Sequence, residues 1–512
     1  MTSSIKVNQS NGNEKISEHI YGHFAEHLGR CVYEGIWVGE DSDIPNTRGI
    51  RNDVVNALRG LNIPNLRWPG GCFADEYHWK DGIGPREERP SIVNTNWGKV
   101  TESNHFGTHE FLDLCEQLEC EPYICGNVGS GTVLEMQEWI EYITFDGESP
   151  MANLRRKNGR EKAWKLKFFG IGNENWGCGG TMRVEKYADE YRQFQSFVKN
   201  FSGNEIYKIA CGPSEADYHW TDVIMREGVG KYTPPVDRVI DSTWDHYRPS
   251  MHGIGLHYYT RNRANYTLAA DFDEKQWFEY MKRTLFIEEL IIKHGEVMDK
   301  HDPDKNVGLI IDEWGTWFKV EPGTNPGFLY QQNTLRDALI AGINLNIFNN
   351  HCDRVKMANI AQMINVLQAM ILTDKEKMVL TPSYHVFEMF KVHQNAVLLP
   401  TEVESKSYSM DGDSIDQLNV SASQDDNGKV HISICNIHPT QSEEITCNID
   451  GISSFSSAGG RILTSENIND HNTFEMTDRV KPEEFNDMKV EGNGLSITIP
   501  PKSVIVIELD PS

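Results

Sequence analysis

The stretch "KFFGIGNENWG", residues 167–177, decides how the chain is interpreted, because an apolar run ends in it directly on polar residues. The run 168–171 is continuous rather than alternating, which is typical of a strand buried on both faces. Gly172, Asn173 and Glu174 then follow without a spacer. A carboxylate at the end of a buried strand suggests a catalytic role, which would need a partner carboxylate elsewhere in the chain.

The same arrangement recurs along most of the sequence: a short apolar run, a polar or glycine-containing tip, and then a helical period. The runs are "HIYGHFAEHLG" near 19–29, "NLRWPGGCFAD" from 65, "EPYICGNVGSG" from 121, "KFFGIGNENWG" from 167, "IYKIACGPSEA" from 206, "GIGLHYYT" from 253, "VGLIIDEWGTW" from 307 and "LNIFNNHCDRV" from 345. Eight such units with apolar strands predict a parallel (β/α)8 barrel. A doubly wound open sheet is the competing fold.

The character of the sequence changes after about residue 395. Segments such as "KVHISICNIHP" and "GLSITIPPKSVIVIELDP" are short, β-rich and broken by Gly, Asn, Asp and Pro, which predicts an antiparallel β-sandwich. The strand-like "SSIKVNQS" from residue 3 is expected to pair with it. We therefore predict a barrel over 17–394 and a sandwich domain made of 1–16 plus 395–512.

Composition excludes several kinds of partner. The chain of 512 residues carries 75 acidic against 49 basic residues, a net charge of −26 that repels nucleic acid and anionic membrane surfaces. It has no secretory apolar segment near its start and no run of eighteen apolar residues, so we expect a cytoplasmic protein. The ten cysteines are too sparse for a disulfide scaffold, and we expect reduced, mostly buried thiols.

Active sites of barrel folds form at the C-terminal ends of the strands, so the polar residues at those ends are the candidates. They are His23, Glu26, His27, Arg67, Gly70, Gly71, Cys72, Asn127, Asn173, Glu174, Trp176, Ser214, Glu215, His257, Tyr259, Asp312, Glu313, Trp314, Asn349, Asn350, His351 and Asp353. A single Glu at a strand end is usually a salt-bridge or helix-capping residue. The fourth and seventh strands, however, both end on a Glu with a Trp close by, namely Glu174 and Glu313.

Such a pair suits glycoside hydrolysis, which needs one carboxylic acid to protonate the leaving oxygen and a second carboxylate to attack the sugar carbon or activate water. Strands four and seven of an eight-stranded barrel face each other across its mouth, so the two side chains can meet over one substrate. The amide of Asn173 can hold a sugar hydroxyl. The two tips therefore predict a carbohydrate-active site.

At these motifs the sequence resembles the α-L-arabinofuranosidases of glycoside hydrolase family 51, a family of retaining barrel glycosidases. The matching stretches follow in order along nearly the whole chain: "GHFAEHLGRCVYEGIW", "LRWPGGCFADEYHWKDGIGP", "NHFGTHEF", "GIGNENWGCGG", "GLHYYT", "IDEWGTW", "ANIAQMINVLQAM" and "TPSYHVFEMFKVHQ". Carried over position by position, the resemblance implies that Glu174 is the general acid/base and Glu313 the nucleophile.

The resemblance also implies which residues surround the sugar. Positions that bind its hydroxyls or orient the carboxylates are matched by Glu26, Arg67, Asn173, Tyr259 and Gln362. Trp97 and Trp176 match aromatic walls of the pocket. Cys72 stands where many relatives have Asn and is counted with the substrate-binding positions.

The function implied is a retaining, exo-acting α-L-arabinofuranosidase that acts on arabinan, arabinoxylan or derived oligosaccharides, needs no cofactor or metal, and forms a homo-oligomer such as a hexamer. Another glycosidase of the same clan, cleaving a pyranoside or an internal glucan bond, would use the same two Glu residues. A noncatalytic sugar-binding protein on the same scaffold also stays open. A metal-dependent hydrolase is a weaker third alternative, because no H-x-H or H-E-x-x-H spacing occurs.

Overall fold

The computed structural model describes residues 3–8, 14–229 and 250–512, and within them eight parallel strands close into a barrel. The barrel strands are β1 (Gly22–Phe24), β2 (Asn65–Trp68), β3 (Glu121–Gly126), β4 (Phe168–Ile171), β5 (Tyr207–Ala210), β6 (Gly253–Thr260), β7 (Gly308–Thr316) and β8 (Val355–Ala361). Each pairs with the next in chain order, and β8 closes the barrel against β1. The prediction of a closed (β/α)8 barrel rather than an open sheet is confirmed.

Helices cover the outside of the barrel and bury their apolar faces against the strands. They are α1 (Asn52–Arg59), α2 (Thr108–Leu118), α3 (Val133–Thr144), α4 (Pro150–Lys157), α5 (Val184–Gln195), α6 (Tyr218–Val229), α7 (Glu274–Asp299), α8 (Leu335–Asn350) and α9 (Pro382–Phe390). In α5, for example, Val184, Tyr187, Tyr191 and Phe194 are buried at spacings of three and four. Among the helices of the described part of the chain, none has the length and apolar character needed to cross a membrane.

The eighth strand lies later in the sequence than predicted. The apolar run from Leu345 forms the end of α8, and the strand follows at Val355–Ala361. The polar residues placed at that predicted tip, namely Asn349, Asn350, His351 and Asp353, therefore precede β8. They lie at the end of the barrel opposite the C-terminal ends of the strands, because a strand starts where its preceding helix ends.

The β-rich remainder forms a sandwich of two sheets around its own apolar core. One sheet has the strand order Thr401–Glu404, Ser3–Asn8, Glu443–Asp450, Gly494–Ile499 and Met488–Glu491. The other has the order Val397–Leu399, Leu418–Gln424, Val430–Asn436, Ser503–Pro511, Phe455–Leu463 and Glu483–Glu484. The expected C-terminal antiparallel domain is thus confirmed as a fold.

The N-terminal strand is built into this sandwich. Ser3–Asn8 runs antiparallel to Thr401–Glu404 but parallel to Glu443–Asp450, so one pairing departs from the predicted antiparallel order. No short turn connects this N-terminal strand to its neighbours in the sheet. It can therefore pair with them in either the parallel or the antiparallel direction. The domain boundaries 17–394 and 1–16 plus 395–512 stay a prediction, and residues 1–2 and 9–13 of the latter lie outside the described residues.

The second sheet packs directly against α8. The amide of Asn346 in α8 donates to Oδ1 of Asn419 at 2.9 Å and accepts from the Ser433 hydroxyl at 2.6 Å. Almost every residue of α8 is buried, since the barrel covers one side of the helix and the sandwich the other. This position anchors the sandwich against the outer helix layer.

Candidate active site

The tip of β4 carries Glu174 in an unusual backbone conformation. Gly172 directly follows the strand with φ of 84°, and Glu174 has φ of 41°, in the left-handed region that residues other than glycine rarely adopt. An added Cβ at Gly172 would lie 2.1 Å from Oδ1 of Asn175, so only glycine fits this turn. Backbone conformations of this kind concentrate at functional sites.

Asp75 holds this tip in place from the loop after β2. Its carboxylate accepts backbone N–H bonds from Val128 and Gly129 after β3, each at 2.7 Å, and from Asn173 after β4 at 2.8 Å. Burial raises the pKa of Asp75 to about 7, although these bonds favour the charged form and oppose the shift. One buried carboxyl group thus ties together the ends of three strands.

The tip of β7 carries Glu313, which is held from two sides. Arg67 of β2 donates from Nη1 to Oε2 of Glu313 and to the backbone carbonyl of Asp312, both at 3.1 Å. Tyr259 of β6 donates its hydroxyl to Oε1 of Glu313 at 2.9 Å. Arg67 also donates to the side-chain oxygen of Asn173, so the β4 and β7 tips share one buried guanidinium.

His257 lies between the two glutamates. A bulge after Gly255 sets it directly opposite Glu313 in the pairing of β6 with β7. Its Nδ1 is 2.9 Å from Oε1 of Glu174 and 3.6 Å from Oε2 of Glu313, and its Nε2 is 3.3 Å from Oδ1 of Asp312.

These neighbours decide the charge of His257. Burial alone would lower the pKa of His257, but the carboxylates of Glu313, Asp312 and Glu174 outweigh burial and raise that pKa to about 10. Burial likewise would raise the pKa of Asp312, whereas Arg67 and His257 hold it below its ordinary value. The carboxyl groups around His257 therefore favour its charged form.

The two glutamates are close enough to act on one bond. One carboxylate oxygen of Glu174, one of Glu313 and a ring nitrogen of His257 all lie within 4.8 Å of one another. Retaining glycosidases keep their carboxyl groups about 5 to 5.5 Å apart, whereas inverting enzymes leave roughly 6.5 to 9.5 Å for a water. A gap of at most 4.8 Å between two of their oxygens is shorter than the separation of an inverting enzyme and agrees with the retaining class. The same three side chains also have the donor set of a divalent-cation site.

Glu26 forms the other wall of the site, two residues after β1. Its Oε1 accepts from the backbone N–H of Phe73 at 3.1 Å and from the indole N–H of Trp97 at 2.9 Å, and its Oε2 accepts from Gln362 at 2.9 Å. Burial, reinforced by the negative charge of Glu313, raises the pKa of Glu26 to about 7.

The two glycines of "PGG" let the chain after β2 pass close to these carboxylates. A Cβ on Gly70 would lie 2.6 Å from Cγ of Glu26, and a Cβ on Gly71 would lie 2.9 Å from Oε2 of Glu313. Any larger side chain at either position would displace a carboxylate.

Cys72 and Cys178 form a disulfide at the edge of the site, with sulfurs 3.5 Å (Cys178) and 4.0 Å (Cys72) from Oε2 of Glu174. The prediction that all cysteines are free thiols is wrong for this pair. The two residues are 106 positions apart and meet because each follows the end of a different barrel strand, so no local spacing indicates the bond. The other eight cysteines are free, as predicted.

Known proteins resemble the chain over its full length. The profile described as "Alpha-L-arabinofuranosidase 1 domain" matches residues 57–276, and that described as "Alpha-L-arabinofuranosidase C-terminal domain" matches 312–503. The chain is 50% identical over 511 residues to the intracellular exo-α-L-arabinofuranosidase of Bacteroides ovatus, covering 99% of this chain and 96% of that protein. The crystal structure of the GH51 arabinofuranosidase from Xanthomonas axonopodis pv. citri superposes with a TM-score of 0.93 at 46% identity, over 99% of this chain and 100% of the other.

The chain belongs to the α-L-arabinofuranosidases of glycoside hydrolase family 51. A further structure, the arabinose complex of the Thermotoga maritima α-L-arabinofuranosidase, gives a TM-score of 0.82 at 30% identity, with 99% of each chain covered. The resemblance inferred from the sequence motifs is thereby confirmed.

Most of the residues predicted for the site meet at the barrel mouth of this family 51 member. Direct contacts join them in two groups: one is Glu26 with Trp97 and Gln362, and the other is Glu313 with Arg67, Asn173 and Tyr259, connected through His257 to Glu174 and Cys72. Trp176 is half-buried, and its indole N–H donates to the carbonyl of Gly212 after β5 at 3.1 Å, so its role as a pocket wall stays a prediction.

Four further residues belong to the site. His257 and Asp312 stand among the predicted strand-end residues, but no role follows for them from the sequence. Asp75 and Cys178 are not indicated at all. Asp75 follows "PGGCFA" in a loop, and its partners become neighbours only when the barrel closes.

Proposed function

We propose that this protein is a retaining, exo-acting α-L-arabinofuranosidase that releases terminal arabinofuranosyl residues from arabinan, arabinoxylan or derived oligosaccharides. Membership of family 51 and the 50% identity to a protein named an intracellular exo-α-L-arabinofuranosidase support the activity. The observation that carries the mechanism is the pair of carboxylates within 4.8 Å of each other at the ends of β4 and β7.

In the first step Glu313 attacks the anomeric carbon of the arabinofuranosyl group, and Glu174 gives its proton to the departing oxygen. The sugar is then held as an ester of Glu313. In the second step Glu174, now ionised, removes a proton from water, and that water displaces Glu313. Two inversions leave the configuration of the sugar unchanged.

The surroundings support this assignment of roles. Glu313 accepts bonds from Arg67 and Tyr259, which orient an ionised carboxylate for attack. Among the described residues, Glu174 meets a single such side-chain donor, His257 at Oε1, while Oε2 faces the two sulfurs. Oε2 is therefore the oxygen suited to carry the proton that is transferred.

The other residues of the site are proposed to bind the sugar. Glu26, Asn173 and Gln362 offer acceptors and donors for hydroxyl groups, Trp97 and Trp176 offer apolar walls, and Cys72 borders the acid/base. The reaction needs no cofactor or metal, since each proton and electron pair moves between these carboxylates, substrate and water.

The cellular setting is proposed with the activity. A cytoplasmic location agrees with the intracellular name of the Bacteroides ovatus relative. There the enzyme would take imported oligosaccharides and supply L-arabinose metabolism. A homo-oligomer, and by the family resemblance a hexamer, is part of the same proposal.

Substitution of each glutamate separates their roles. Glu174→Ala should lose most activity on a sugar leaving group, which cannot depart without a proton, but should still form the ester from a nitrophenyl arabinofuranoside. Azide needs no general base and should then restore turnover of that aryl substrate. Glu313→Ala should fail on both substrates, because no ester forms. Equal losses of Glu174→Ala on both substrates, without an azide effect, would refute the assignment of the acid/base.

Proton NMR of the first-formed sugar tests the stereochemistry, and the product should keep the configuration of the substrate. The opposite anomer would show that Glu313 is not the nucleophile. A panel of nitrophenyl furanosides and pyranosides separates this proposal from another clan member, which would prefer a pyranoside. A noncatalytic sugar-binding protein would turn over no compound in the panel.

A further inference from the structure

The disulfide at the barrel mouth adjoins the group proposed as the acid/base and is open to solvent. Cys178 is exposed, Cys72 and Glu174 are partly exposed, and one ligand atom from each of the three lies within 4.8 Å of the others. Because Cys178 is exposed among the described residues, reductants in solution can reach the bond. Protein disulfides of this kind are uncommon in a reducing cytoplasm.

We propose that the reduced pair Cys72 and Cys178, together with Glu174, forms an inhibitory site for a thiol-preferring divalent cation such as Zn²⁺. The disulfide form cannot bind the cation, so the site exists only in the reduced enzyme. The inhibition, though not the binding, rests on the proposed function of Glu174 as acid/base.

An external dithiol can supply the electrons and protons needed to reduce the Cys72–Cys178 disulfide. The dithiol gives two electrons and two protons to the Cys72–Cys178 bond and becomes a disulfide itself, leaving two thiols on the protein. Zn²⁺ then displaces the two thiol protons to solvent and binds both thiolates. Glu174 adds a carboxylate oxygen, and a water completes four ligands, as in other zinc sites.

The geometry allows this arrangement with a small local change. Zinc holds sulfur at about 2.3 Å and carboxylate oxygen at about 2.0 to 2.2 Å, so the two sulfurs must move apart once their bond opens. Cys178 can supply that movement, because its side chain is exposed and lies in the loop between Gly177 and Gly179. Cys72 is fixed at the start of the 3-10 segment Cys72–Glu76.

The surrounding charge favours a cation over an anion. Glu313 and Glu26 lie in the same barrel mouth as Glu174, and the chain as a whole has a net charge of −26. A cation on Glu174 removes the oxygen that must give up a proton in the first step and accept one in the second. Both halves of the reaction would stop together.

The test compares the full-length enzyme before and after reduction. Titration of thiols under denaturing conditions should rise from the eight free cysteines of the disulfide form to all ten after treatment with a phosphine reductant. After removal of the reductant without oxygen, Zn²⁺ is titrated by calorimetry, and hydrolysis of a nitrophenyl arabinofuranoside is measured in parallel. The reduced enzyme should bind one Zn²⁺ and lose activity, and a chelator should restore it. The disulfide form should keep its activity at the same Zn²⁺ concentration.

Variants identify the ligands. Cys178→Ser, reduced and freed of reductant in the same way, should bind Zn²⁺ at least about tenfold more weakly than the reduced wild type, because it lacks a zinc ligand. Each variant is compared with its own rate in the absence of metal. Cys120→Ser, which removes a free cysteine preceding β3 at the other end of the barrel, should bind Zn²⁺ like the wild type.

Two kinds of result would overturn the proposed zinc site. Failure of the reductant to release two further thiols would mean that the site never forms. Equal Zn²⁺ binding by the disulfide form, or by Cys178→Ser, would assign the cation to Glu174, His257 and Glu313, which are intact in both. Binding that depends on Cys178 but leaves hydrolysis unchanged would uphold the metal site and refute instead the role of Glu174.

Discussion

Replacing Tyr259 by Phe removes one hydroxyl from the site and leaves its shape intact. That hydroxyl donates to Oε1 of Glu313 at 2.9 Å, and both residues are less than a tenth exposed. A hydrogen bond to a charged group contributes about 1.5 to 3 kcal/mol. Since about 1.36 kcal/mol changes a rate tenfold, Tyr259→Phe should lower kcat/KM by about 10- to 150-fold.

The assay is steady-state hydrolysis of a nitrophenyl arabinofuranoside, with the ester-forming step followed separately by rapid mixing. The loss should fall on ester formation, because the bond orients the attacking oxygen. Tyr258→Phe is the matched control, since the neighbouring hydroxyl donates to the Arg283 carbonyl on α7, away from the carboxylates. Tyr258→Phe should change kcat/KM by less than about threefold. The hydrogen bond that it removes contributes about 1 kcal/mol to the stability of the fold and does not orient a reacting group. A loss for Tyr259→Phe no larger than that of the control would refute the orienting role of this bond.

Two further predictions concern the walls of the site. Gly71→Ala should lower kcat/KM by about 100-fold, because its Cβ would lie 2.9 Å from Oε2 of Glu313 and misplace that carboxylate; Gly295→Ala, with open space around its Cβ, should remain fully active, and equal activity of the two would contradict the crowding argument. The second concerns Glu26, whose pKa is about 7 in the folded protein against an ordinary 4.5, so folding favours its protonated form. Its contribution to stability is fully present below pH 4.5 and is lost as the pH rises through about 7. Glu26→Gln is the reference, because Gln362 can rotate its own amide to pair with the new one. Between these pH values the melting temperature of the wild type should fall relative to that of Glu26→Gln. A difference in melting temperature that stays constant with pH would exclude a raised pKa of Glu26.

The strands that form the site were the most predictable part of the molecule. β4 and β7 are buried on both sides, so their continuous apolar runs are distinctive, and a charged residue directly after such a run stands out. Glu174 and Glu313 could therefore be paired from the amino-acid sequence alone. The remaining sugar-binding residues came from the family resemblance rather than from the residues themselves.

The errors have physical causes that can be named. The run from Leu345 looked like a strand because α8 is covered by the barrel on one side and by the sandwich on the other, so it has no polar face from which to recognise a helix. The disulfide and the contacts of Asp75 join loops that are distant in sequence. Such long-range neighbours have no periodicity or spacing that a sequence pattern could detect.

The position of the strand Ser3–Asn8 in the middle of a C-terminal sheet has a consequence for biogenesis. The ribosome makes this strand long before Thr401–Glu404 and Glu443–Asp450, the two segments that flank it. The sandwich therefore cannot be completed during translation until most of the chain has emerged, whereas the barrel strands are all made earlier. An affinity tag fused ahead of residue 3 would sit beside this late-forming sheet, and a tag after residue 512 would emerge only once every strand had been made.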